Sequence, residues 1–223
     1  DQDHSKFHGV TYSTCDIDRR VWEIRAKSMT MDEDKGRGYA RDVTMRLKGV
    51  PFLWLPWMSF PIDNQRQSGF LYPSFGKRGR AGFMVSIPYY WNIAPNYDAT
   101  FTPTWYADRG GMLDSQFRWL TTTSRGVLNL DYMPHDKQAG RNRGYLTLSN
   151  QTTLPWDLRW NTSIAHATDK EWFQDFGQNL TTSTVTLLGS SSYVTKSTDW
   201  WNAGIGADWY QIVTPGLSDR AAP

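Results

Sequence analysis

Cysteine is all but missing from this chain: Cys15 is the only one in 223 residues, so no disulfide can close within it. Long hydrophobic runs are missing too. The longest apolar stretch, VPFLWLPWMSFPI at 50–62, is shorter than the roughly 20 residues of a spanning helix and is interrupted by prolines. Neither sign of charge dominates. Lys and Arg number 24 and Asp and Glu 22, a net charge of +2 that implies no polyanion and therefore no nucleic-acid partner. Mean hydropathy is −0.60. No segment carries a convincing helical period, and no nucleophile–base set, phosphate loop or metal spacing stands out, so neither an enzyme activity nor a cofactor nor a metal is expected. His4 and His8 are spaced to share a strand face, but lack the carboxylate or thiol that would complete a metal site. The opening DQDHSKFHG shows no initiator Met and no signal peptide, as expected of a mature product or a fragment.

What is present is aromatic. Phe, Trp and Tyr make up 15% of the residues, with 12 Trp, more than a soluble core ordinarily uses and typical of membrane-interface anchoring. From Gly69 onward, alternation runs hairpin after hairpin. It predicts strands near 69–77, 81–91, 97–107, 112–122, 126–134, 144–153, 156–168, 181–196 and 200–213. In YDATFTPTWYA, Tyr97, Ala99, Phe101, Pro103 and Trp105 share one face, opposite Asp98, Thr100, Thr102, Thr104 and Tyr106. A soluble sandwich would turn the apolar face inward; an outer-membrane barrel would turn it to lipid and the polar face to a wet lumen. Strands of about ten residues, charged and amide side chains on the polar faces (Asp98, Asp114, Gln116, Arg118, Asp131, Arg159, Asp208) and aromatic residues near strand ends favour the barrel. Trp201 and Trp209, eight positions apart on one face, would span roughly 20 Å of a tilted strand, close to the apolar band of such barrels. Turns near 78–80, 108–111, 135–143 and 169–180 would then lie outside the cell, and those near 92–96, 122–125, 154–155 and 197–199 inside. Nine strands is an odd number, so the barrel is expected to be incomplete.

Residues 1–62 behave differently. VWEIRAKSMTMDEDKGRGYARDVTMRLKG holds two alternating strands around an acidic turn. Trp22, Ile24 and Ala26 share one face, and Tyr39, Arg41, Val43, Met45 and Leu47 oppose Ala40, Asp42, Thr44 and Arg46. PFLWLPWMSFPIDNQRQSG reads as a packed, proline-rich connector to the second domain, 63–223. That domain opens on GFLYPSFGKRGRAGFMVSIPYYW, whose neighbouring strands each contain a proline, Pro73 and Pro88. Each deletes an N–H donor from the ladder, which hydrocarbon normally forbids. They serve either a deliberately weak wall or merely a twist or bulge. For Pro103 both alternatives stand equally.

SGFLYPSFG, IPYYWNIAPNYDATFTPTWYADRGGML and FRWLTTTSRGVLNLDYMPHD resemble the LptD family of lipopolysaccharide-assembly proteins, as do FHGVTYSTC and the run from Val21 to Asp63; the likeness covers nearly the whole chain. It implies an all-β protein of the Gram-negative outer membrane. A periplasmic β-jellyroll, here represented by its C-terminal part, precedes an antiparallel barrel, here its first strands. The resemblance further implies lipopolysaccharide as cargo, the lipoprotein LptE as barrel plug and the periplasmic bridge protein LptA at the jellyroll. Pro73 and Pro88 match the family's two lateral-gate prolines, and Cys15 matches a cysteine that pairs with one outside this chain. Trp22, Ile24, Ala26, Met29, Met31, Tyr39, Val43, Met45 and Leu47 become either sandwich core or the wall of a groove for acyl chains. A passive pore or export barrel, with the lumen as the path, is the competing reading; it needs neither an apolar periplasmic domain nor prolines beside the seam.

Overall fold

The computed structural model describes residues 4–13, 21–34, 36–63, 66–177 and 184–214. The fold is all-β, and its pairings between neighbouring strands are antiparallel. The chain divides into two compact units, Asp1–Gly69 and Phe70–Pro223.

In the first unit β1 (His4–Tyr12), β2 (Trp22–Asp32), β3 (Arg37–Leu47) and β4 (Val50–Pro61) form a meander in chain order. The proline-rich segment expected as a connector is thus a twelve-residue strand. It tolerates Pro51, Pro56 and Pro61 because it lies at the sheet edge, where an N–H can be lost without breaking two ladders. A crease crosses all four strands. Pairing lapses at Gly9, Lys27, Asp42 and Pro56, which the flanking registers set side by side. Gly9 and Asp42 have φ of 64° and 52°, and Pro56 has no N–H to give. The side-chain alternation flips there, so Ala40 and Val43, an odd number of residues apart, both enter one core cluster with Ala26. Ile24, Leu55, Met58 and Phe60 pack around it. The strict alternation expected for β3 fails for this reason. Gly38 belongs to the same face: a Cβ there would lie 2.4 Å from the Phe60 ring.

The second unit is one sheet that runs in linear order and does not close on itself. Its elements are β5 (Gly69–Phe70), β6 (Ser74–Arg78), β7 (Gly82–Ser86), β8 (Tyr89–Ala94), β9 (Tyr97–Tyr106), β10 (Gly110–Leu120), β11 (Ser124–Asp136), β12 (Arg141–Leu154), β13 (Leu158–Ala167), β14 (Leu187–Ser197) and β15 (Asn202–Ile212). The first two expected strands are each cut in two, at the residues carrying Pro73 and Pro88. The strand expected from Trp156 begins at Leu158, because Trp156 and Asp157 take φ of 64° and 59° in a tight turn. A short helix, α1 (Trp172–Phe176), appears where no helix was expected; five residues are too few to register a 3.6 period. Among the described residues no helix is long and apolar enough to cross a membrane, which has no bearing on strands.

The two faces of this sheet are inverted relative to a soluble protein. Trp105 is 56% exposed, and Leu113, Leu130 and Tyr132 on the same face are also exposed. Asp98 and Thr104 on the opposite face are 4% exposed. Hydroxyls, amides and charges line that polar face in hydrogen-bonded rows, such as Gln116 Nε2 to Asn129 Oδ1 at 2.9 Å and Asn129 Nδ2 to Thr147 Oγ1 at 2.9 Å.

Candidate functional site

The first hairpin of the second unit is built around missing donors. β7 and β8 are one strand with a gap, since Met84–Ser86 and Tyr89 meet β9 at a constant offset. That offset puts Ile87 opposite Pro103, and extending the Ser74–Ser86 pairing by one puts Pro73 opposite Ile87 on the other side. Ile87 therefore sits between two residues without an N–H and precedes a third, Pro88. Two thin links remain at the break: Ile87 N to Pro103 O at 3.2 Å and Leu71 N to Pro88 O at 2.8 Å. On the apolar face Phe70, Tyr72 and Phe75 stand more than two-thirds exposed. On the polar face the Ser74 and Ser86 hydroxyls share a hydrogen bond of 2.6 Å.

Beside the hairpin lies a cavity of about 560 Å³, lined by Ser74, Arg78 and Ser86, by Asp114 and Asp131, and by the rings of α1. Asp114 and Asp131 are directly opposed in register. Thr104 Oγ1 donates to Asp114 Oδ2 at 3.0 Å, and Arg78 Nη1 donates to the Tyr106 hydroxyl at 3.0 Å. At one end of the sheet the turns after β9 and β11 and the segment after β13 converge on a buried charge network. Arg143 is forked on Asp169, Nε to Oδ2 at 2.7 Å and Nη2 to Oδ1 at 2.6 Å. Its Nη1 donates to Asp136 and Asp175, each at 2.8 Å. Arg109 bridges the same two carboxylates at 2.7 and 2.6 Å. Among the described residues Arg109 Nε is buried without a hydrogen-bond partner. Burial alone would raise the pKa of Asp169, but the hydrogen bonds and charge of Arg143, helped by Arg141 and Thr168, outweigh it and hold the carboxyl below its ordinary value. Asp175 belongs to α1, whose Trp172, Phe173 and Phe176 pack on Tyr106, Met112, Met133 and Ala167 of the polar face.

Residues 39–200 match the family model described as LptD protein. The chain is 35% identical, over 98% of its length, to the LPS-assembly protein LptD of Xanthomonas euvesicatoria pv. vesicatoria. It is 37% identical over 94% to that of Aromatoleum aromaticum, and 36% over 98% to that of Nitrosococcus oceani. The chain belongs to the LptD family. It spans 27% of the length of the first two of these relatives and 30% of the third.

The residues singled out from the LptD resemblance are distributed unevenly. Pro73 and Pro88 fall at the two gaps in the hairpin, and Pro103 completes their line. In the first unit Trp22, Ile24 and Ala26 pair with Leu47, Met45 and Val43, while Met29 and Met31, beyond the crease, pair with Ala40 and Gly38. Tyr39 is set apart: it lies between Gly38 and Ala40, which point into the core, and stacks instead on the exposed Trp57 at 6.2 Å. Leu47 is also half exposed. Cys15 lies outside the described residues. The charge network and α1 escaped the sequence reading. Their one trace is the density of Asp and Arg in PHDKQAGRNR and DKEWFQDF, two segments too far apart in the chain for their pairing to be read.

Proposed function

We propose that this chain is the portion of a lipopolysaccharide-assembly protein through which lipopolysaccharide leaves the periplasm and enters the outer leaflet of the outer membrane. The line Pro73–Ile87–Pro103, with Pro88 next to it, carries this reading. A wall facing hydrocarbon cannot leave backbone groups unpaired without a cost of several kcal/mol each, and a run of absent donors across three neighbouring strands weakens the ladder where a lipid could part it. The inverted faces support placement of residues 63–223 in the membrane as barrel strands, polar face to the lumen. The relatives are named for lipopolysaccharide assembly, which supports the cargo. Residues 1–62 are read as jellyroll strands whose Ile24–Ala26–Met45 face guides acyl chains. This arrangement calls for LptA as donor at those strands and LptE as the plug of the completed barrel.

The decisive experiment replaces Pro73 and Pro88 together by alanine in the full-length protein. Two restored donors contribute about 0.5–1.5 kcal/mol each where the strands straighten to use them. The expected result is a barrel at least as heat-resistant as the parent that delivers less lipopolysaccharide to the cell surface. A less stable barrel with normal delivery would assign the prolines to a bulge and remove the lateral opening.

A further inference from the structure

We infer that helix α1 is a latch on the proline hairpin: it grips the hairpin tip with its aromatic side and is itself pinned to the rest of the wall by the Arg109–Arg143 network. The tip turn, Gly79–Ala81, packs against α1, and Ala81 is fully buried in one cluster with Trp172, Phe173 and Phe176. Phe176 meets Tyr106 edge to face at 5.5 Å, and Tyr106 in turn receives Arg78 from the end of β6. Among the described residues the hairpin has few other attachments to the sheet. β7 pairs with β9 from Met84 to Ser86, flanked by single bonds from Ala107 N to Phe83 O at 2.9 Å and from Ile87 N to Pro103 O at 3.2 Å, whereas β9 and β10 pair from Tyr97 to Tyr106 without interruption. Below Ser86 the ladder fails at the prolines. The tip contact with α1 is therefore a large share of what keeps β6 and β7 seated, and it is apolar and separable.

The other side of α1 is fixed differently. Asp175 takes charged hydrogen bonds from both Arg109 and Arg143, which also hold Asp136 at the end of β11 and Asp169 after β13. The guanidinium of Arg143 lies 5.1 Å and that of Arg109 5.3 Å from the centre of the Phe176 ring, so the ring that holds the hairpin is backed by the cations that hold the helix. The helix thus stays with the strong part of the wall when the hairpin leaves. Its consequence for lipid release rests on the lateral-opening reading; the fastening itself does not.

The fastening is tested in the full-length protein in its membrane by hydrogen–deuterium exchange of the hairpin amides, 74–86, with 116–129, which do not touch α1, as internal reference. Phe176→Ala removes the grip from the helix side, Ala81→Leu wedges it from the hairpin side, and Asp175→Asn loosens the pin. Each variant is expected to speed hairpin exchange about tenfold while leaving the reference strands unchanged, because only a local opening is made easier. Unaltered hairpin exchange in both Phe176→Ala and Ala81→Leu, or acceleration of 116–129 to the same degree, would overturn the latch. Delivery of lipopolysaccharide to the surface, measured on the same variants, separates the two readings: faster hairpin exchange with undisturbed delivery keeps the latch and removes the lateral opening.

Discussion

Arg143 is the residue on which the most depends for its size. It is 1% exposed and serves three carboxylates, with a planar fork on Asp169 that a lysine cannot reproduce. Removing one partner of a buried ionic cluster leaves uncompensated charge and costs about 3–5 kcal/mol. Arg143→Met is therefore expected to release residues 168–177 from the sheet, seen as new protease sensitivity there, and Arg143→Lys should recover only a small part of the loss. Acid should act on the same network through Asp169. Its native pKa lies below the ordinary value of about 3.9, so below that pH the unfolded segment takes up a proton before the folded one does. The stabilisation is complete above about pH 5 and is lost as pH falls from about 4 through the native value. Protection of 168–177 that stayed constant down to pH 2 would mean that Asp169 does not fasten the segment. None of this was legible in the sequence, because Arg143 and its partners Asp169 and Asp175 stand 26 and 32 positions apart and nothing in local spacing pairs one acid with one base.

Among the elements, those that rest on simple alternation were legible and those that rest on an exception to it were not. The long strands β9 to β12 follow from period-two patterns of ten or more residues; in the first hairpin the prolines signalled lost donors, but the strands were expected to run on through them and are instead cut in two. β4 was obscured by the same residue type, since a proline within a strand excludes a central position but not an edge. The crease through Gly9, Lys27, Asp42 and Pro56 was invisible because only the flip it causes reveals it, and a flip is a relation among four strands. It has a functional consequence for the first unit. A photo-crosslinker at Trp22, Ile24 or Met45 in the full-length protein is expected to capture lipopolysaccharide in producing cells. One at Tyr39, turned toward Trp57 on the opposite face, should not. Capture from Tyr39 equal to that from Ile24 would show that the acyl chains do not follow the face this sheet buries.

At the scale of the whole molecule, the inversion of the second unit's faces decides what kind of surroundings it needs. Exposed Trp105, Leu113, Leu130 and Tyr132 would be an aggregation liability in water and are appropriate against lipid. A sheet that crosses a membrane has one end on each side, and the ends here are unlike. One gathers the turns after β6, β9 and β11 with α1 and its buried charges; the other has the short turns at 95–96, 121–123, 155–157 and 198–201. The connection after β13, which carries α1, is the long one; long connections belong outside and short ones in the periplasm, so under the proposed membrane placement α1 is expected on the cell surface. Single cysteines at Ala139 and, at the opposite end, at Thr122 or Asp199 test this with a thiol reagent that does not cross the envelope, the parent protein serving as control for Cys15. All three positions are exposed, so access to the reagent depends on the side of the membrane alone. Ala139→Cys is expected to react on intact cells, and Thr122→Cys and Asp199→Cys only after the envelope is opened. The reverse pattern would put the hairpin tip and its latch in the periplasm, where lipid arrives rather than leaves, and the proposed direction of opening would be wrong.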